Sequence, residues 1–166
     1  MNAELRAHGY TFLKKIGQGS TSNVYLVQYE KDKKQYACKV ISRKLLENRT
    51  VLCCLERELR IHRNINHNNI IKLWNVVYTK ENVCLILDYC PNGDLFQYIY
   101  ENKGFDRIDA LKILKQLLNA LNYLHSRKVA HCDIKPENIL FDDKYNVKLS
   151  DYHRGKFYRF FSFYGI

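Results

Sequence analysis

Acidic residues are scarce in this chain. Its 166 residues include 17 Asp and Glu against 27 Lys and Arg, a formal net charge of +10. That balance favours anionic partners: nucleotides, phosphorylated groups, acidic proteins, nucleic acid or anionic lipid. The basic residues are dispersed, however, with only small groups at Lys31, Lys33 and Lys34 and at Arg57, Arg60 and Arg63. Dispersed charge reads mainly as a solvated basic surface, and no nucleic-acid partner is expected. Any apolar run long enough to cross a bilayer is missing, so no transmembrane segment is expected. The opening MNAELRAHGY lacks the charged-then-apolar order of a secretory leader and has no Gly at position 2 for myristoylation. A cytoplasmic location is the expectation. Six cysteines form no C-x-x-C pair, and the six histidines show no zinc-like spacing with them. Reduced thiols follow, and a zinc or disulfide framework does not. Repeats and low-complexity linkers are absent as well.

What is present is a sheet-like first part and a mainly helical second part. Short β runs at 10–16, 23–29 and 35–41 are joined by tight connections, the pattern of an antiparallel meander. A helix is predicted over 44–65, with Leu52, Leu55, Leu59 and His62 on one buried face. Strands follow at 71–79 and 82–89 before Pro91-Asn92-Gly93 breaks the chain. Beyond it come a short helix from Asp94 and a long one over 106–127. On the long helix Leu111, Leu114, Leu118 and Leu121 form a stripe that Leu117 and Leu124 widen. A polar loop and two short strands, ILF and VKL, complete the pattern.

Three stretches carry chemistry. In IGQGSTSNV, Gly17 and Gly19 free the backbone to bend over a ligand and point N–H groups at phosphate, although a tight hairpin without a ligand reads the same way. In YACK, Ala37 and Lys39 lie two apart on one strand face. The small residue leaves room for a flat ring, and the lysine can neutralise phosphate oxygens. A lone lysine is usually a surface residue. Glu58, one step before Leu59 on the helix, can point to the sheet and hold Lys39 in an ion pair. In AHCDIKPENILF, Pro136 forbids a continuous helix, so a loop presents Asp133, Lys135 and Asn138 to one cavity. Asp133 can accept a hydroxyl proton and Lys135 can steady a transferring phosphoryl group. Asn138 and Asp151 offer oxygen to Mg²⁺.

Together, from about Tyr10 to Asp151, these stretches resemble a eukaryotic-type protein kinase. The lysine in DIKPEN is similar to the serine/threonine branch. The resemblance implies an α+β, two-lobed fold with a complete β-rich lobe and a partial helical lobe. It implies ATP and Mg²⁺ as cofactors, and γ-phosphoryl transfer to a Ser or Thr hydroxyl. Lys39, Glu58, Asp133 and Lys135 become the catalytic set, with Asn138 and Asp151 as metal ligands. Nucleotide contacts fall to Ile16, Gly17, Gly19, Ser22, Val24, Ala37, Lys39, Leu87, Asp88, Cys90 and Leu140. Val24, Ala37 and Leu140 sandwich adenine, Leu87 backs the pocket, and the backbone of Asp88 and Cys90 meets the purine edge. His62 and Leu73 join an apolar stack.

Several residues depart from the family pattern. Ser22 replaces the third loop glycine, and Cys132 stands where most members have arginine. Asp-Phe-Gly becomes Asp151-Tyr152-His153, and no activation segment follows. The stretch 154–166 holds 13 residues, six of them aromatic. Three readings suit it: a lid on the Leu stripe, a membrane-surface anchor, or the end of a truncated product. The expected organisation is a tail at 1–9, a kinase domain at 10–151 and an atypical tail at 152–166. Within the domain the small lobe is 10–87, the hinge 88–93 and the partial large lobe 94–151. The expected function is a serine/threonine kinase with low or no activity in this form. The alternative is a non-catalytic, pseudokinase-like protein that binds ATP or docks on a partner kinase. A protein substrate or partner kinase is the implied macromolecular partner.

Overall fold

The computed structural model describes residues 2–19, 22–151 and 156–157. It divides into two compact units, Met1–Arg57 with Lys72–Tyr89, and Glu58–Ile71 with Cys90–Ile166.

The first unit is built on a five-stranded antiparallel sheet. Its strands are β1 (Tyr10–Gln18), β2 (Ser22–Tyr29), β3 (Gln35–Ser42), β4 (Leu73–Tyr78) and β5 (Asn82–Asp88), in the order β1-β2-β3-β5-β4. The β-branched and aromatic content of these runs suits a pleated surface. Alternation then sorts them onto two faces. Val27, Tyr36, Cys38, Val40, Val77, Cys84 and Ile86 form one buried cluster with Leu5 and Tyr10. Leu5 comes from a short helix, α1 (Asn2–Ala7), within the stretch expected to be a tail. It is fully buried, and the Glu4 carboxylate accepts from the Lys80 backbone N–H at 2.8 Å. That hydrogen bond holds the Glu4 carboxyl below its ordinary range.

The helix expected over 44–65 is two pieces, a 3-10 turn at Arg43–Glu47 and α2 (Arg49–His62). Asn48 makes the break. Its side-chain oxygen accepts from the backbone N–H groups of Thr50 (2.9 Å) and Val51 (3.4 Å), starting a new helix in place of continuing the old one. On α2, Leu55, Glu58, Leu59, Ile61 and His62 are buried, whereas Leu52 is exposed.

The second unit contains α3 (Leu95–Asn102), α4 (Arg107–Ser126), β6 (Val129–Ala130), β7 (Ile139–Phe141), β8 (Val147–Leu149) and β9 (Lys156–Phe157). β7 pairs with β8 and β6 with β9, both antiparallel. Asp94 and Asp106 cap α3 and α4 through bonds to the backbone N–H of Gln97 (2.8 Å) and Asp109 (2.7 Å). Gly93 has a positive φ of 70°, and a Cβ there would lie 3.0 Å from the Gln97 amide oxygen. Glycine is therefore what the turn into α3 requires.

The core gathers Ile61, Ile65, Ile70, Leu95, Ala120, Leu124, Val129, Ile139, Phe141, Val147 and Leu149. Ile113, Leu117, Leu121 and Tyr123 of α4 pack against it. The stripe of Leu111, Leu114 and Leu118 instead lies 48–57% exposed. These three leucines share a heptad-like spacing with the buried set but sit on the neighbouring helix face. The α+β kinase-like fold therefore stands, with a complete small-lobe sheet and a partial helical large lobe. The altered Asp151-Tyr152-His153 turn is described only at Asp151, and the tail lies outside the described residues except for the β9 backbone.

Replacing Leu124 or Phe141 by Ala removes a fully buried side chain and is expected to cost about 2–5 kcal/mol. Leu111→Ala, on the exposed face, is expected to stay within about 0.5 kcal/mol of the parent. Urea midpoints on the three variants check both statements.

Candidate active site: a sheet face and a polar loop

In the first unit the register puts the expected nucleotide residues on one face. Directly paired residues of antiparallel strands point the same way. Val24 pairs with Lys39, and Ala37 pairs with both Leu26 and Leu87. Val24, Ala37, Lys39 and Leu87 thus share the face opposite the buried tyrosine–cysteine cluster. Lys39 is only 8% exposed. Its ammonium needs partners to be buried, and it is not without one. Near the end of β1, Gly17 pairs with Val24, and the Gly19 N–H donates to the Ser22 carbonyl at 2.8 Å. Gly17 and Gly19 do not have a left-handed φ, and a Cβ on either would make only ordinary contacts of 3.5 Å. Neither backbone position therefore demands glycine. Ile16, at the end of this run, is exposed.

In the second unit the polar loop between β6 and β7 is tightly wired. Asn138 is buried, and its side-chain N–H₂ donates to the Asp133 carbonyl at 2.8 Å and to Asp133 Oδ2 at 3.0 Å. Both amide hydrogens are committed, which leaves Oδ1 as the atom of Asn138 able to face a cation. Lys135 Nζ lies 3.1 Å from the same Asp133 Oδ2. This pair is partly solvated and contributes orientation more than stability. Pro136 opens a single 3-10 turn, Pro136–Asn138, that swings Asn138 back beneath Asp133.

His131 supports the loop from below. Its Nε2 lies 2.7 Å from the Ser150 carbonyl, and its Nδ1 accepts from the Asp133 N–H at 3.3 Å. That pattern assigns the neutral ring with its hydrogen on Nε2. Ser150 returns the connection: its N–H (2.9 Å) and hydroxyl (3.1 Å) both donate to the Asn138 carbonyl. Asp151 follows directly, with a left-handed φ of 58°. Cys132 also has a positive φ, 65°. Such angles are costly for residues with a Cβ and mark where the loop is over-determined by its bonds.

The structure thus gathers Asp133, Lys135 and Asn138, with Ser150 tying Asp151 to them. Glu58, at 7% exposure, is buried and has partners, as does Cys90, which is partly exposed. Leu140 is half-buried on β7, bridged to Asp94. The supporting roles of His131 and Ser150 were not read from the sequence. Nor was the anchor behind β8, where Asn69 donates to Gln116 Oε1 (2.8 Å) and to the Val147 carbonyl (3.0 Å). Asn69 closes the polar run Asn66-His67-Asn68-Asn69, and such a run does not say which of its amides will find a buried partner.

No group of three or more His, Cys, Asp or Glu that could hold a metal occurs among the described residues. The amide oxygen of Asn138 and the carboxylate of Asp151 are hard oxygen donors. Two such donors suit Mg²⁺, which keeps several waters and takes its other ligands from phosphate.

Two predictions follow from this wiring. His131→Phe leaves the buried Ser150 carbonyl and the Asp133 N–H without their partner, and should lower stability by about 1–3 kcal/mol, read from urea unfolding. His67 accepts from the Asn69 N–H at 3.1 Å, and burial, then Lys148, push its pKa below the usual value. A depressed histidine favours the neutral ring in the fold. Its contribution is therefore present above about pH 6.5 and lost as pH falls through the lowered value. The acid-side fall of the urea midpoint should shrink in His67→Asn.

Against known proteins, residues 10–159 match the protein kinase domain family. A probable myosin light chain kinase of Dictyostelium discoideum is 43% identical over 147 residues, 86% of this chain and 30% of the relative. The serine/threonine protein kinase OSK3 of Oryza sativa subsp. indica is 34% identical over 143 residues, 86% of this chain and 28% of the relative. The sucrose non-fermenting protein kinase 1 of Fusarium virguliforme is 35% identical over 152 residues, 92% of this chain and 22% of the relative. The chain spans under a third of the length of each of these relatives. With a β-sheet unit, a wired aspartate–lysine–asparagine loop and a family match over most of its length, the chain belongs to the protein kinase domain family, in its serine/threonine branch.

Proposed function

We propose that this chain binds Mg·ATP and carries the machinery for γ-phosphoryl transfer to a serine or threonine hydroxyl of a protein. The observation that carries this reading is the clamp on Asp133. Asn138 and Lys135 both engage its Oδ2, and Asn138 also holds its carbonyl. A carboxylate so fixed, yet a third exposed, can orient an incoming hydroxyl and accept its proton as oxygen attacks phosphorus and ADP leaves. Lys135 is placed to meet the negative charge on the transferring group. Bound Mg²⁺ supplies charge neutralisation on the phosphates, and Asn138 Oδ1 with Asp151 would hold it. Lys39 is assigned the phosphates, and Glu58 is assigned the role of its ion-pair partner.

Val24, Ala37 and Leu140 are assigned the two faces of adenine, and Leu87 the back of its pocket. The Asp88 carbonyl is assigned the purine 6-amino group and the Cys90 N–H the neighbouring ring nitrogen. Ile16, Gly17, Gly19 and Ser22 are assigned the loop over the nucleotide. We assign 10–151 to the kinase domain, split at 88–93, with 1–9 and 152–166 as flanking segments. Among the described residues no helix is long and apolar enough to cross a membrane, and we assign the protein to the cytoplasm.

A non-catalytic reading is supported by a different observation. Leu111, Leu114 and Leu118 expose an apolar face on α4. Exposed apolar surface of this kind marks an interaction site or an aggregation liability. In that reading the chain binds ATP or docks on another kinase and transfers nothing.

Thermal unfolding with and without Mg·ATP tests the shared part. At about 100 times the dissociation constant, nucleotide should add about 2.7 kcal/mol of stability. A folded sample that shows no shift contradicts the catalytic reading and the ATP-binding form of the other, leaving docking on a partner kinase. Phosphotransfer to a mixed Ser/Thr peptide library separates them. The catalytic reading expects activity that Asp133→Asn abolishes while the Mg·ATP shift remains. Activity that survives Asp133→Asn rules that reading out.

A further inference from the structure

The edge strand β4 begins with an irregularity. Leu73 pairs with Leu87 and Asn75 with Ile86, so Trp74 is an extra residue in the ladder. A bulge of this kind re-aims the side chain it carries. The indole of Trp74 is 49% exposed, so burial does not explain where it sits. Its contacts do. Trp74 Nε1 donates to Asp88 Oδ1 at 2.7 Å, and the Lys72 backbone N–H donates to Asp88 Oδ2 at 3.0 Å. The Asp88 N–H in turn donates to the Lys72 carbonyl at 3.1 Å. Lys72 Nζ lies 4.1 Å from the Trp74 ring centroid, and the Tyr36 ring meets it edge-on at 5.8 Å. Tyr36 is also the residue paired with Asp88 on β3. The last residue of β5 is thus gripped by its own main chain, by both carboxylate oxygens and from the neighbouring strand.

We propose that Trp74 is a positioning residue for purine recognition. Acting through the Asp88 carboxylate, it fixes the end of β5 so that the Asp88 carbonyl is held ready for the 6-amino group of adenine. The inference rests on the reading above that this carbonyl meets that amino group. The chemistry fits the geometry. A carbonyl selects an amino donor only if it does not turn away, and strand ends fray unless tied. Charge-assisted bonds to a carboxylate are the stronger kind of tie.

The test compares Mg·ATP with the Mg complex of purine riboside 5′-triphosphate, which lacks only the 6-amino group. Affinities are read by calorimetry on the full chain. The parent should prefer ATP by about three- to ten-fold, the worth of one hydrogen bond. Trp74→Phe keeps the ring and loses the N–H. It should weaken ATP by most of that factor and leave the analogue within about two-fold. Asp88→Ala should do the same, and Trp74→Phe should add nothing further in the Asp88→Ala background. A general destabilisation would weaken both nucleotides alike, and that result overturns the proposal. Retained preference in folded Trp74→Phe also overturns it and leaves the kinase reading intact. A parent that binds ATP without any preference removes the role of the Asp88 carbonyl and the proposal with it. A parent that binds neither nucleotide overturns the kinase reading as well.

Discussion

The polar loop of the second unit depends on a single buried amide. Asn138 spends its two side-chain hydrogens on Asp133, one on the carbonyl and one on the carboxylate, and spends its own carbonyl on Ser150. Three positions that sequence separates by five and twelve residues are thereby fixed to one another. The side-chain amide supplies two donors on a short, stiff stem, and the backbone carbonyl of the same residue supplies the acceptor. A carboxylate in its place would repel Asp133, and an apolar residue would leave the Asp133 carbonyl and Oδ2 without this donor. His131 repeats the connection from the other side, between the same Asp133 backbone and the Ser150 carbonyl. A loop held at both ends in this way tolerates the left-handed angles at Cys132 and Asp151.

The first unit solves a different problem. Its sheet must hide a core and still present an ammonium group in a fixed place. Strand alternation does both at once. Cys38 and Val40 point into the tyrosine-rich core while Ala37 and Lys39 point to the opposite face. One slip in register would exchange the two sets, so the same pairing that buries the core also places the lysine. The two cysteines of that core, Cys38 and Cys84, are fully buried and close enough to share a hydrogen bond. There they act as small apolar residues.

Much of this was legible in the sequence, for physical reasons that differ by element. The strands at Tyr10, Asn23, Gln35 and Asn82 stood out because each run is β-rich and bounded by turn residues. The loop stood out because Pro136 and a cluster of charges cannot be helix. The helix over 44–65 was misjudged because Asn48 competes for backbone N–H groups, an effect that periodicity does not register. Leu111, Leu114 and Leu118 were correctly placed on a helix. Spacing could not say that Ala120, Leu121 and Leu124 would take the core. α1 was missed because six residues carry too little pattern, and its stability comes from Leu5 in the core. Trp74 and Asp88 lie fourteen residues apart, and the bulge at Trp74 re-aims its side chain in a way strand alternation does not register, so no local signal could join them.

The central claim is that Asn138 and Asp151, tied together through Ser150, form the end of the site that receives the nucleotide's metal. Mn²⁺ can replace Mg²⁺ with ATP, and its unpaired electrons broaden NMR signals of nearby nuclei. On isotope-labelled chain, Mn·ATP is predicted to broaden the Asn138 side-chain amide and the Ser150 and Asp151 backbone amides first, with Asp133 close behind. Uniform, weak broadening over the basic surface, or a centre elsewhere in the chain, would contradict the account.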